Sequence, residues 1–244
     1  MKKQIPNFLT TLNLICGLVS ITLVMQGNLV WASIFIFIAT IFDYLDGTAA
    51  RLLTAYSELG KQLDSLADLV SFGVAPGLII YQLLAVHCST GCNILERWHV
   101  IPYFALLIPV CSALRLAKFN IDPDQTENFI GLPTPANAIF FASIPLILQL
   151  NIREQTFVQL DFLAALFSNP RVLAVLAVFF SYLLISDFHL FSLKFKMLKW
   201  QGNEHRFIFL IFSLILLLVF SISAVPLIIV GYLVLSVVFQ KRII

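Results

Sequence analysis

Asp43-Tyr44-Leu45-Asp46-Gly47-Thr48-Ala49-Ala50-Arg51 closes one long apolar run, and Gly60-Lys61-Gln62-Leu63-Asp64-Ser65-Leu66-Ala67-Asp68 opens the next. The runs around these segments, residues 29–53 and 63–86, are each long enough to cross about 30 Å of hydrocarbon as a helix. Asp43 and Asp46 are three apart, and Asp64 and Asp68 four apart, so each pair projects from one face of its helix. The outer pair, Asp43 and Asp68, and the inner pair, Asp46 and Asp64, are both nearly symmetric about Ala55. In an antiparallel hairpin rising about 1.5 Å per residue, all four converge on one spot roughly 10 to 20 Å in from the turn.

Further apolar runs fall at 8–25, 99–118, 134–150, 172–190, 207–223 and 225–240. With 60% hydrophobic and 11% charged residues and a mean hydropathy of +0.96, the chain lies far outside the range of soluble domains. The expectation is an all-α, polytopic transmembrane helix bundle of about eight spans. The last two are separated only by Ser221, Ser223 and Pro226, and the sixth carries Asp187 and His189 near its end. No linker or repeat interrupts residues 1–244, which read as a single integral membrane domain: a catalytic bundle over about 1–190 and an extra C-terminal helical hairpin over about 205–242. Met1-Lys2-Lys3 and the apolar residues after it mimic a secretory signal, but no small-x-small site follows, so this run is read as the first retained helix.

Basic residues set the orientation. With the N-terminus in the cytoplasm, twelve Lys and Arg fall in loops on that side and three, Arg97, Arg153 and Arg171, on the other. This bias predicts an even number of spans, both termini cytoplasmic, and the turn between the second and third helices facing the cytoplasm. A net charge of +2 gives no basis for nucleic-acid binding, and the 23 Phe read as lipid-facing and core filling. Cys16 and Cys111 fall within apolar runs and read as buried small hydrophobes, while Cys88 and Cys92 flank a polar loop that is bridged only if it faces an oxidising compartment.

Ionisable side chains at membrane depth are costly and usually functional. Two unit charges 4 Å apart repel by about 4 kcal/mol even at an effective dielectric near 20, and desolvation adds to that. Four converging carboxylates therefore need protons or cations. Oxygen-only ligands favour hard ions, and two divalent ions, Mg²⁺ or Mn²⁺, balance four negative charges. Gly47 lies one turn after Asp43, and Ala49 and Ala50 keep the same stretch slim, which admits a ligand or a neighbouring helix. Arg51 offers a planar fork to a phosphate or pyrophosphate. Metal ligands beside an arginine point to phosphoryl chemistry. A cation-transit pathway is the competing reading of the aspartates, but it leaves the spacing of Gly47, Arg51 and Gly60 unexplained.

The string Asp43-x2-Asp46-Gly47-x2-Ala50-Arg51-x8-Gly60-x3-Asp64-x3-Asp68 resembles, without a departure, the signature of the CDP-alcohol phosphatidyltransferase family. The resemblance implies that the four aspartates bind two divalent metals, that Asp68 is also the general base, and that Gly47 and Arg51 hold a CDP-linked lipid with Ser57 as a further contact. Asn7 and Thr10 either line the nucleotide side or cap the first helix. The resemblance also implies a homodimer.

The flanks carry the likeness further. Asp64 through Pro76, Leu114-Arg115-Leu116-Ala117-Lys118-Phe119-Asn120, Phe129 through Asn137 and Ile5-Pro6-Asn7-Phe8-Leu9-Thr10 are similar to segments of bacterial, membrane-spanning members of the family whose acceptor is L-serine. The likeness covers roughly the first 150 residues. It implies CDP-diacylglycerol and L-serine as substrates, phosphatidylserine and CMP as products, and a bacterial inner membrane with the site facing the cytoplasm. Glycerol 3-phosphate, inositol phosphate and choline are the alternative acceptors. A serine carboxylate calls for a positive group, for which Arg115 and Lys118 are candidates, with Asn120 and the Pro133-Thr134-Pro135 turn shaping the pocket. Snorkelling to the membrane interface is the other reading of the two cations.

Overall fold

The computed structural model describes residues 4–55, 57–90, 100–121, 129–153, 161–190 and 204–239. They form a helix bundle in which the only strand pairing is a two-residue bridge. Helices α1 (Gln4–Met25) and α2 (Leu29–Leu52) make the first hairpin, and α2 turns into α3 (Glu58–Asp68). A π-helical turn, Leu69–Val74, joins α3 to α4 (Ala75–Thr90). After a 3₁₀ segment, Ile101–Leu106, come α5 (Leu107–Ile121), α6 (Thr134–Arg153), α7 (Asp161–Phe167) and α8 (Pro170–Ile185). Helices α9 (Glu204–Phe220) and α10 (Ala224–Phe239) follow.

Among the described residues five helical stretches are long and apolar enough to cross a membrane, six if α7 and α8, which meet at 84°, count as one span. One of the five, Arg206–Val238, is folded back on itself. Phe209 and Tyr232 have ring centroids 5.6 Å apart, whereas an unbroken helix would separate them by more than 30 Å at about 1.5 Å per residue. Ser221, at φ 48°, makes that turn, so α9 and α10 form the C-terminal hairpin. Cys92 lies outside the described residues, as does the side chain of Cys88.

Two turns position the site, and both use the same device. At the end of α1, Asn28 N donates to Leu23 O and Gly27 N to Val24 O, with Gly27 at φ 76°. This is a Schellman closure, which needs one residue in the left-handed region. The end of α2 repeats it: Ala55 N donates to Ala50 O and Thr54 N to Arg51 O. Here the left-handed residue is Thr54, at φ 47°, a strained choice for a β-branched side chain. Ser57 then caps α3, its hydroxyl accepting from Gly60 N at 3.0 Å.

Close helix contacts are made through small residues, as expected where lipid gives no hydrophobic drive to association. Ser20 Oγ donates to Ala32 O at 2.8 Å, joining α1 to α2. A Cβ on Gly17 would run into Ser71, and one on Gly73 would come to 3.0 Å from Ser112 Cβ. These contacts clamp α1 and α5 onto the π turn directly after Asp68. The apolar centre is filled by Phe140, Phe141, Phe167 and Phe180, with Phe140 and Phe180 stacked at 4.1 Å. Leu18, Trp31, Ile41, Val110, Phe179 and Leu218 face outward, as a lipid-facing surface requires.

Phe129–Ile130 pairs antiparallel with His189–Leu190, and Gly131 N donates to Phe188 O. Gly131 has φ 73°, and a Cβ there would lie 2.6 Å from Leu184 O. The chain entering α6 is thereby fastened to the end of α8.

Candidate active site

Helices α2 and α3 bring their carboxylates together as the spacing requires. Asp43, Asp64 and Asp68 each offer one oxygen, and these oxygens lie within 4.8 Å of one another. Asp46 is buried beside them, close enough to act electrostatically on Asp43, Asp64 and Asp68. It also lines, with Asp64, a cavity of about 320 Å³. Asp64 Oδ1 is buried without a hydrogen-bond partner. A buried oxygen left unpaired among like charges is an unstable arrangement on its own, and it suits a divalent cation, which takes carboxylate oxygens.

Helix α1 carries no acid, yet it holds two of the four. Thr10 Oγ1 lies 2.6 Å from Asp46 Oδ2 and 3.0 Å from Pro6 O, and the shorter contact identifies Asp46 as the acceptor. Asn13 Nδ2 donates to Asp68 Oδ1 at 3.1 Å, leaving Asn13 Oδ1 buried and unpaired. Because α1 starts at Gln4, Asn7 and Thr10 sit inside the helix and do not cap it. Asn13 was not among the residues expected from sequence. The signal was present, since Asn7, Thr10 and Asn13 recur every third position in a largely apolar helix.

The cavity beside the acids is lined by Asn7, Thr10, Gly47, Ala50, Arg51, Ser57, Gly60 and Lys61 among others. A Cβ at Gly47 would meet nothing within 4 Å, so that face of α2 is open to a ligand. Gly60 is the opposite case, since a Cβ there would come within 2.9 Å of Asn7 Oδ1 and Ser57 Oγ. Arg51 is exposed at the mouth, with Nε donating to Gly47 O and Nη2 to Thr48 Oγ1. Lys61 donates to Asn120 O at 3.1 Å. Two cations and two of the carboxylates thus line one cavity, a layout suited to an anionic ligand beside acids that could hold metal ions.

The resemblance in sequence is now matched over most of the chain. Residues 3–183 fit the family model for CDP-alcohol phosphatidyltransferase. The chain belongs to the CDP-alcohol phosphatidyltransferase family. It is 37% identical over 201 residues to the CDP-diacylglycerol–serine O-phosphatidyltransferase of Bacillus subtilis, covering 82% of this chain and 94% of that protein. An enzyme of the same name from Mycobacterium leprae is 39% identical over 142 residues, 55% of this chain and 44% of its own length. The archaetidylserine synthase of Methanothermobacter thermautotrophicus is 38% identical over 141 residues, covering 57% and 56%. The chain spans nearly all of the Bacillus relative and about half of the other two. CDP-alcohol phosphatidyltransferases are generally divalent-metal dependent, in keeping with the aspartate cluster.

The residues expected around an acceptor separate. Arg115, on α5, is buried, feels the charge of Asp68, and has an unpaired Nε. Lys118, one turn further, is about half exposed and pairs with Asp187 at 2.6 Å. Asn120 Nδ2 donates to Ser65 Oγ at 2.8 Å, tying α5 to α3. Of the three, only Arg115 is buried.

Proposed function

We propose that this CDP-alcohol phosphatidyltransferase moves the phosphatidyl group of CDP-diacylglycerol onto the hydroxyl of L-serine, giving phosphatidylserine and CMP. The observation that carries the proposal is the convergence of Asp43, Asp64 and Asp68, from two helices, beside a cavity with cations at its mouth. The names of the relatives supply serine as acceptor.

Asp43, Asp46, Asp64 and Asp68 are the residues that would hold two divalent cations, Mg²⁺ or Mn²⁺. Such ions offset the charge that builds on the pyrophosphate oxygens as the CMP bond breaks. Arg51 and the open face at Gly47 hold the pyrophosphate and nucleotide, with Asn7, Thr10, Ser57 and Lys61 around them. Asp68, oriented by Asn13, takes the proton from the serine hydroxyl. A bond forms between the serine oxygen and the lipid-side phosphorus, and the bond from that phosphorus to CMP breaks. Arg115 meets the serine carboxylate from the other side of Asp68, while Lys118 and Asn120 brace the pocket rim through Asp187 and Ser65. The rate gain comes mainly from positioning and charge compensation.

The lopsided distribution of basic residues supports both termini and the cavity mouth on the cytoplasmic side of a bacterial inner membrane, and the family resemblance supports a homodimer. The test of the whole reading is CMP release by purified protein given CDP-diacylglycerol, Mn²⁺ and, in turn, serine, glycerol 3-phosphate, inositol phosphate or choline. Serine is expected to give the highest rate. Serine-dependent release no higher than that of buffer overturns the acceptor assignment.

A further inference from the structure

The matched family region ends at residue 183, and the hairpin of α9 and α10 lies beyond it. Between this hairpin and α6 is a cavity of about 460 Å³. Phe209, Ile229 and Tyr232 are buried and form its back. Pro135, Ala136 and Ile139 of α6 form the opposite wall, and all three are half-buried. Leu217, also in the lining, is 44% exposed, so the cavity opens onto the outer surface of the hairpin. Leu214, Leu218 and Val230 on that surface are exposed as well, which makes the surroundings of the opening apolar.

The cavity is drawn out along the helices. Its lining on α9 runs from Phe209 to Leu217 and on α10 from Val225 to Tyr232, about 12 and 10 Å at 1.5 Å per residue. Phe209 and Tyr232 meet at one end, with ring centroids 5.6 Å apart, and Leu217 and Val225 flank the turn at Ser221 at the other. The hydrocarbon core of a bilayer is about 30 Å thick, so one leaflet is about 15 Å deep. The slot therefore matches a single leaflet, whereas a spanning helix of another protein needs a groove of the full thickness. Water is a poor occupant too. The lining is apolar apart from the Tyr232 phenol, and a buried water needs about two to four polar partners.

We propose that the slot between α6 and the C-terminal hairpin is a binding site for one acyl chain of a bilayer phospholipid, lying parallel to the helices. Such a chain touches α6, α9 and α10 at once and fastens the hairpin to the bundle. The lipid is not the CDP-linked donor. The cavity at the acids is lined from α1, α2, α3 and the turn between α2 and α3, and it shares no residue with the slot. Helix α10 packs instead on α6 and on the 189–190 strand. The inference stands whether or not serine is the acceptor.

The test uses phosphatidylglycerol carrying a diazirine midway along one acyl chain. The full-length protein is loaded with this lipid, diluted into detergent to shed loosely held surface lipid, illuminated, digested and mapped by mass spectrometry. Adducts are expected on Ala136, Ile139 and the slot-facing residues of α9 and α10, with Trp31 and Phe179, exposed on other faces, labelled far less. Ala136→Phe and Ile228→Phe fill the slot from opposite sides. Each should lower slot labelling at least about tenfold, the loss expected when two methylenes of chain are displaced. Added phosphatidylglycerol should raise the Tm of delipidated wild type and leave that of the filled variants unchanged. Where Ala136→Phe fails to fold, Ile228→Phe makes the comparison.

Trp31 and Phe179 labelled as strongly as the slot mark ordinary surface lipid and overturn the proposal. Unchanged labelling in the filled variants does the same, as do slot adducts that join a second copy of the chain. Displacement of the label by CDP-diacylglycerol, but not by an equal amount of unlabelled phosphatidylglycerol, overturns it in favour of the donor's own chain.

Discussion

Asn13 on α1 donates from Nδ2 to Oδ1 of Asp68 on α3, at 3.1 Å. The bond engages Oδ1, so in the proposed mechanism the other oxygen takes the substrate proton, and Ser71, bonded to Asn13 O at 3.0 Å, fixes Asn13 in turn. A neutral amide serves this purpose better than a cation would. It orients the acid without neutralising it, so the oxygen stays basic.

Removing that support should slow chemistry more than binding. Asn13→Ala is expected to lower kcat by about 10- to 100-fold, the range usual for partners that orient metal ligands and bases, with donor affinity little changed. Steady-state CMP release with CDP-lipid and serine varied separately checks this. A kcat near wild type means Asp68 holds its orientation unaided.

Asp68→Asn keeps the shape of the side chain but cannot accept the serine proton. Turnover should be lost while binding of CDP-diacylglycerol remains measurable by calorimetry in detergent. Turnover close to wild type removes Asp68 as the base.

Gly47 and Gly60 line the same cavity but should respond differently to alanine. Gly47→Ala meets no protein atom within 4 Å and replaces a mid-helix glycine, so stability should rise by up to about 1 kcal/mol while the donor KM increases. Gly60→Ala is placed 2.9 Å from Asn7 Oδ1 and Ser57 Oγ, so it should weaken the α3 cap and lower stability as well as donor affinity. Thermal unfolding in detergent alongside donor KM separates the two; equal stability effects contradict the packing described here.

Thr54→Gly should relieve the left-handed strain at φ 47°, stabilising the turn by about 1 kcal/mol. For a chain of this size that corresponds to roughly 2–4 °C in Tm. The residue lies outside the cavity lining, so kcat should be unaffected. A fall in Tm would show that the threonine side chain contributes more than its backbone costs.

Chelation should abolish CMP release, and Mn²⁺ or Mg²⁺ added back should restore it. Activity that survives EDTA and dialysis would leave the Asp43, Asp64 and Asp68 cluster without its assigned purpose.

The acid hairpin was legible because helix period and turn position are local properties: spacings of three and four, folded about Ala55, bring the side chains together whatever surrounds them. The acceptor side was not. Arg115 and Lys118 are equivalent by sequence position, and only packing buries one and leaves the other exposed beside Asp187. The π turn was hidden for a different reason. Pro76 has no N–H to give the Phe72 carbonyl, and the widened turn at Leu69–Val74 directly precedes it; the cue was there, but it reads equally well as a simple kink.

That Thr10 and Asn13 both belong to α1 has a consequence for how the protein is made. Synthesis delivers α1 to the bilayer before either acid-bearing helix, so hydrogen-bond donors already stand at the right depth when Asp46 and then Asp68 arrive. Each carboxyl can be satisfied as its helix inserts, which lessens the penalty of bringing an unpaired acid into lipid. Birth order along the ribosome thereby favours assembly of the very residues whose burial would otherwise oppose it.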